Sequence, residues 1–127
     1  MRQIKFRAWD KNIKGMCFDF CIHLGKNTRF TPTIGSYDKN TIDEYWNKNM
    51  EIMQFTGLLD KNGKEIYEGD IVEDDGDWYQ VVWAYAGFYA DKIRGGGNES
   101  LSLEEIASSR DCCRVGNIYE NLELLTN

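Results

Sequence analysis

The stretch Met53-Gln-Phe-Thr-Gly-Leu-Leu-Asp-Lys-Asn-Gly-Lys-Glu-Ile-Tyr-Glu-Gly-Asp-Ile-Val72 constrains this chain more than any other, because it specifies a hairpin and the entry to a small barrel in one run. Ile52 to Leu59 reads as a strand, and Asp60-Lys-Asn-Gly63 as a tight turn in which Gly63, or Gly63 with Asn62, takes φ > 0. Lys64 to Glu68 is the returning strand. Gly69-Asp70 then breaks the ladder before Ile71 to Glu73, Asp74-Asp-Gly-Asp77 supplies a second turn, and Trp78 to Val82 pairs back, continuing through Trp83 to Tyr89. Short strands at this spacing predict a small SH3-like barrel.

On either side the signals are thinner. Ile4, Phe6 and Ala8 alternate with polar residues, the period-2 pattern of a strand buried on one face. A turn at Lys11 to Gly15 leads into a second expected strand, Met16 to Leu24. Turn formers dominate from Gly25 to Gly35, and Thr41-Ile-Asp-Glu44 fits a capping box opening a short helix over Ile42 to Lys48. Gly95-Gly-Gly97 is a loop, and Ser102-Leu-Glu-Glu105 is a second capping box, placing an inserted helix at about residues 102–110 with Leu103, Ile106 and Ala107 on one face. Cys112 to Tyr119 returns as a strand. The expected fold is therefore mostly β: an N-terminal β subdomain over residues 1–50, then an SH3-like barrel over residues 51–127, with one or two short helices.

Three segments carry a family resemblance: Ile4-Lys-Phe-Arg-Ala-Trp-Asp10, the opening run Met53–Val72, and Val115-Gly-Asn-Ile-Tyr-Glu-Asn-Leu-Glu-Leu-Leu125. In order and spacing they resemble the YopX-like proteins of phages and prophages. With Val81-Val-Trp83 and Ala86-Gly-Phe88 the anchors cover roughly half the chain. The resemblance implies the same two-part β architecture and an uncharacterised phage or prophage accessory role. It assigns no catalytic residue and no cofactor.

The net charge of −6 disfavours nucleic acid, since phosphate contacts need Lys and Arg. The charge is unevenly spread, however. Residues 1–15 carry Arg2, Lys5, Arg7, Lys11 and Lys14 against Asp10 alone, whereas residues 60–77 carry eight acids against Lys61 and Lys64. The candidate basic arm is Arg2, Lys5, Arg7 and Trp9, with Lys5, Arg7 and Trp9 expected on one face; it is the patch that could meet nucleic acid by charge and stacking. The plainer reading is an ordinary strand whose outer face is solvated or docked on the barrel's acidic half. Trp78, Tyr79, Trp83, Tyr85, Phe88 and Tyr89 crowd one hairpin, more aromatic surface than a small barrel interior holds. Trp83, Tyr85, Phe88 and Tyr89 are thus the candidate interaction surface for a protein partner, from host or phage, or for a second copy of the chain.

Residues with catalytic or metal-binding potential do not assemble into a site. The one histidine, His23, lies between Ile22 and Leu24 in an expected strand and reads as structural. Cys17 and Cys21 on a strand would stand about 13 Å apart, too far to share one zinc, and the adjacent Cys112 and Cys113 would point to opposite faces. Each is expected to be a reduced, small hydrophobe. Counting an EF-hand from Asp60 puts Glu65 and Ile71 where glycine and glutamate are required. A magnesium site on Asp74, Asp75 and Asp77, serving a hydrolase, competes with a solvated turn of like charges. Gly25-Lys-Asn-Thr28 does not complete a phosphate loop, since Phe20 stands where its first glycine belongs.

No apolar run approaches the roughly 20 residues a membrane span needs, and the charged N-terminus is unlike a signal peptide. The expectation is a cytoplasmic, non-enzymatic interaction module that also self-associates through its aromatic or edge-strand surface, with no metal or cofactor. The alternative is a nucleic-acid-associated small barrel using the basic arm.

Overall fold

The computed structural model of the chain describes residues 4–18, 20–23, 29–32, 49–84, 86–95 and 100–125. It divides into two units: Phe6–Ile52, and Met53–Asn127 together with Met1–Lys5.

The first unit opens with a hairpin of β1 (Phe6–Asp10) and β2 (Gly15–Cys17), in register at Ala8↔Cys17 and Trp9↔Met16. Asp10 sets the turn: its Oδ1 accepts the N–H groups of Asn12 (2.9 Å) and Ile13 (3.2 Å). With the side chain holding the loop, the left-handed position falls on Lys14 (φ 55°), not on Gly15. The expected strand Met16 to Leu24 is interrupted. β2 ends at Cys17, and β3 (Phe20–His23) pairs with β4 (Arg29–Pro32), which the turn-rich composition of residues 25–35 concealed. Phe30 and Thr31 are good strand formers, and Pro32 stands at the strand's end, where its missing donor does least harm. The expected helix over Ile42 to Lys48 lies outside the described residues.

β1 departs from the one-face pattern as well. Arg7 (2% exposed), Ala8 (0%), Trp9 (8%) and Asp10 (7%) are all buried in succession, so the strand is covered on both faces.

β5 (Met50–Leu59) begins in the first unit and continues into the second. In the first, the Lys11 N–H donates to the Asn49 carbonyl at 2.8 Å and Lys11 pairs with Glu51 at 2.6 Å. In the second, β5 pairs with β6 (Glu65–Tyr67) across the Asp60–Lys64 turn, where Gly63 takes φ 79° and Asn62 does not take a positive φ. β7 (Asp70–Asp74) and β8 (Asp77–Ala84) follow, joined by Asp75 and Gly76 with φ of 51° and 85°, the two-residue turn whose twist matches paired strands. β9 (Gly87–Arg94), β10 (Ser100–Ser102), α1 (Leu103–Ala107) and β11 (Cys113–Asn117) complete the unit, followed by a 3-10 turn at Leu122–Leu125.

The antiparallel sheet runs β10-β9-β8-β7-β11 and curves into a half barrel, so the fold is mostly β with few helices. Its core joins Ile66, Val72, Tyr79, Val81 and Ala90 from the strands to Leu103 and Ile106 from α1 and to Cys112. The inserted helix is shorter than the sequence suggests. Ser102 occupies its N-cap without a side-chain cap bond, and Leu103 and Ile106 are buried on its apolar face, with the partly buried Ala107 packed against the same core. Packing, not capping, holds it.

Candidate functional site

Three segments of the second unit enclose a groove of about 550 Å³: Thr56–Leu58 of β5, Trp83 and Ala86–Tyr89 around the β8–β9 turn, and Ser102–Glu104 where β10 meets α1. The β5 wall comes from an irregularity in pairing. Phe55 faces Tyr67 and Leu59 faces Glu65, so Thr56, Gly57 and Leu58 together oppose Ile66. Such a bulge bends the strand and takes residues out of the ladder. Thr56 fixes its shape, donating its hydroxyl to the Ile66 carbonyl at 2.7 Å and accepting the Leu58 N–H at 3.2 Å. Gly57 at the apex has φ 88°, a conformation that side chains oppose, and is exposed.

The opposite wall is aromatic. Trp83 and Phe88 face each other across β8 and β9, in register, with ring centroids 4.8 Å apart and planes at 69°, an edge-to-face pair. Trp83 is nevertheless 50% exposed. Of the four residues expected to form an interaction surface, Trp83, Phe88 and Tyr89 line the groove, while Tyr85 lies outside the described residues. Beside them Ala86 is held at φ 61°, a left-handed conformation that costs a residue bearing a Cβ about 1–2 kcal/mol. Gly57, Thr56 and the Ser102–Glu104 wall are the part that sequence reasoning missed. An isolated glycine within the strand pattern Ile52–Leu59 was the available signal for the bulge.

The basic arm is not assembled as a free face. Arg7 and Trp9 are buried, and Lys5 forms an ion pair with Glu65 while its ammonium stands 5.0 Å over the Phe55 ring. The hydrogen bond that the Lys5 ammonium donates to the Glu65 carboxylate raises the pKa of Lys5 above its usual value. Arg2 lies outside the described residues.

Six of the eight acids of residues 60–77 have structural partners, Glu65 in Lys5 and Glu68 in the Gln54 N–H among them. Asp60 accepts three backbone N–H groups, and Asp70, fully buried, accepts the Tyr67 N–H at 2.7 Å beside Arg114 Nε at 3.1 Å. Asp74 accepts the Ser109 hydroxyl at 2.6 Å, and Asp77 pairs with Lys92 at 3.2 Å. Among the described residues no group of three His, Cys, Asp or Glu side chains is arranged to hold a metal ion. Cys112 stands just before β11 and is buried in the core, whereas Cys113, the first residue of β11, is half-buried.

A family model for "YopX protein" matches residues 5–126, nearly the whole chain. The chain belongs to the YopX family. Among solved structures, this YopX chain is similar to protein EF1440 from Enterococcus faecalis, with 30% identity and a TM-score of 0.63 over 98% of this chain and 99% of that one. No curated protein matches it. Among the described residues of this YopX chain, no helix is long and apolar enough to cross a membrane.

Proposed function

We propose that this YopX chain is a non-enzymatic accessory protein of a phage or prophage, that it acts in the host cytoplasm by binding another protein, and that the partner docks in the groove between the β5 bulge and the aromatic wall. The observation that carries this reading is Trp83. Its indole, 50% exposed, lines a concave site of about 550 Å³ instead of packing into the core. Half-open aromatic anchors in concave sites are where protein interfaces concentrate their energy. The groove's described lining is Thr, Ser, Tyr, Trp, Phe, Leu, Ala and Gly with one Glu, and holds no histidine, cysteine or lysine to activate a nucleophile.

The test is capture from prophage-induced cells with tagged chain and with its Trp83→Ala variant, each with and without nuclease. A protein retained by the parent chain after nuclease and lost from the variant, at an unchanged melting temperature, is the expected result. Equal recovery with both, or recovery of nucleic acid alone, overturns the proposal.

A further inference from the structure

We infer that the groove takes an extended, cationic segment of its partner, in which a Lys or Arg flanked by apolar residues sets its charge against the Trp83 ring and Glu104; this rests on the groove being the docking site. Three features of the site specify that chemistry.

The first is charge. Of the eleven described residues that line the groove, Glu104 alone is ionisable near neutral pH, at a site otherwise built from rings, small side chains and Leu. Cations whose contacts are seen in this unit are engaged elsewhere: Lys92 with Asp77 and over the Tyr79 ring, Arg94 over Trp78, Lys5 with Glu65, and Arg114 beside Asp70. A cation delivered by the partner would meet a carboxylate and an open indole together, and each attracts it more strongly where water is displaced. The net charge of −6 favours the approach of a basic partner and opposes that of nucleic acid or of a second, equally acidic copy.

The second is backbone. Gly57 has no partner in the β5–β6 register and is exposed. An exposed peptide on a groove wall, outside that pairing, is suited to hydrogen bonding with an extended chain, the way sheet edges accept added strands. The third is shape. Trp83 and Phe88 already contact each other at 4.8 Å, so no ring can be inserted between them, and an incoming side chain must lie along the exposed indole. A long, flexible stem ending in a cation fits that surface.

The experiment selects from a library of randomised nine-residue peptides on the full chain, with counter-selection on the Trp83→Ala variant, and measures the selected peptides by fluorescence polarisation. Enrichment of Lys or Arg among Trp83-dependent peptides is expected. Glu104→Gln should weaken these peptides about ten-fold, and replacing the peptide's cation by norleucine should weaken them similarly while removing the effect of Glu104→Gln. Trp83-dependent peptides without cation enrichment, or insensitive to Glu104→Gln, overturn the inference and leave groove docking standing. No Trp83-dependent peptide at all, with an indole resonance of Trp83 that no selected peptide shifts, overturns both. A dimer abolished by Trp83→Ala makes a second copy the occupant and also overturns the inference.

Discussion

Asp60 and Arg114, 54 positions apart, are joined by one hydrogen bond: the Arg114 backbone N–H donates to Asp60 Oδ2 at 2.8 Å. The other carboxylate oxygen, Oδ1, accepts the N–H groups of Asn62 and Lys64, both at 2.9 Å, so one side chain shapes the β5–β6 turn and ties it to β11. Beside it the Lys61 N–H donates to the Cys112 carbonyl at 2.9 Å. β11 is an outer strand of the five-stranded sheet, and the turn thus occupies part of an edge that would otherwise recruit other chains.

Replacing Asp60 should therefore cost more than a surface turn residue would. Asp60→Ala leaves three N–H groups without their acceptor, and a loss of about 2–4 kcal/mol in urea unfolding is expected. Burial alone would raise this carboxyl's pKa, but the Arg114, Lys64 and Asn62 N–H groups outweigh it and hold the pKa below the ordinary 3.8. With the folded value lowered, the ionised group's contribution is present above pH 3.8 and is lost as pH falls through the folded pKa. The stability gap between the parent chain and Asp60→Asn should accordingly narrow below about pH 4. A gap that stays constant down to pH 2 would show that the carboxylate's charge contributes nothing.

How much of this was legible in the sequence follows from where the information is local. The turns at Asp60–Gly63 and Asp74–Asp77 announce themselves through glycine and aspartate chemistry, and the structure has both. Trp83, Phe88 and Tyr89 could be marked as surface because a small interior cannot hold every ring of that hairpin. What could not be read was non-local. Which strand Arg29–Pro32 pairs with, and whether Arg7 meets water, depend on chain segments distant in sequence. The groove's second and third walls, Thr56–Leu58 and Ser102–Glu104, come together only in the fold.

Arg7 offers a direct test of that lesson. Alternation along β1 puts Arg7 on an outer face, solvated or docked, and at 2% exposure the side chain is not solvated. Arg7→Ala should lower stability by about 2–4 kcal/mol through lost packing and uncompensated polar groups, as with other buried charges. Lys5→Ala, by comparison, should shift the urea midpoint little. An Arg7→Ala variant as stable as the parent chain, but deficient in salt-sensitive binding of single-stranded DNA, would restore the exposed-arm reading.

The two adjacent cysteines should differ sharply in reactivity. Burial, with smaller contributions from the nearby Asp74 and Asp60 charges, pushes the Cys112 thiol up to about 11, and the side chain is fully covered. Iodoacetamide at pH 8 should thus modify Cys113 in the native protein and reach Cys112 only at the rate of unfolding, as peptide mass spectrometry can resolve. Because the folded pKa lies above the unfolded value of 9.0, this thiol's contribution is complete below pH 9 and is lost as pH rises towards 11. Equal labelling of both cysteines in the native state would place Cys112 outside the core.

Gly116 tests the packing of the chain's last turn. A Cβ built there would stand 2.5 Å from Asn121 Oδ1 and 2.9 Å from Leu124 Cδ1, though its backbone is not in the left-handed region. Asn121 Oδ1 accepts the Asn117 N–H at 3.2 Å, and the Asn121 N–H returns to the Asn117 carbonyl at 3.0 Å, so the intruding methyl would push apart a mutually bonded pair. Gly116→Ala should cost about 1–3 kcal/mol by overpacking, and hydrogen exchange should show the Leu122–Leu125 turn opening before the sheet does. Removing the obstruction should recover part of the loss. In a Leu124→Ala background, the same Gly116→Ala change is expected to be less costly, and strict additivity of the two substitutions would rule out the contact as its cause.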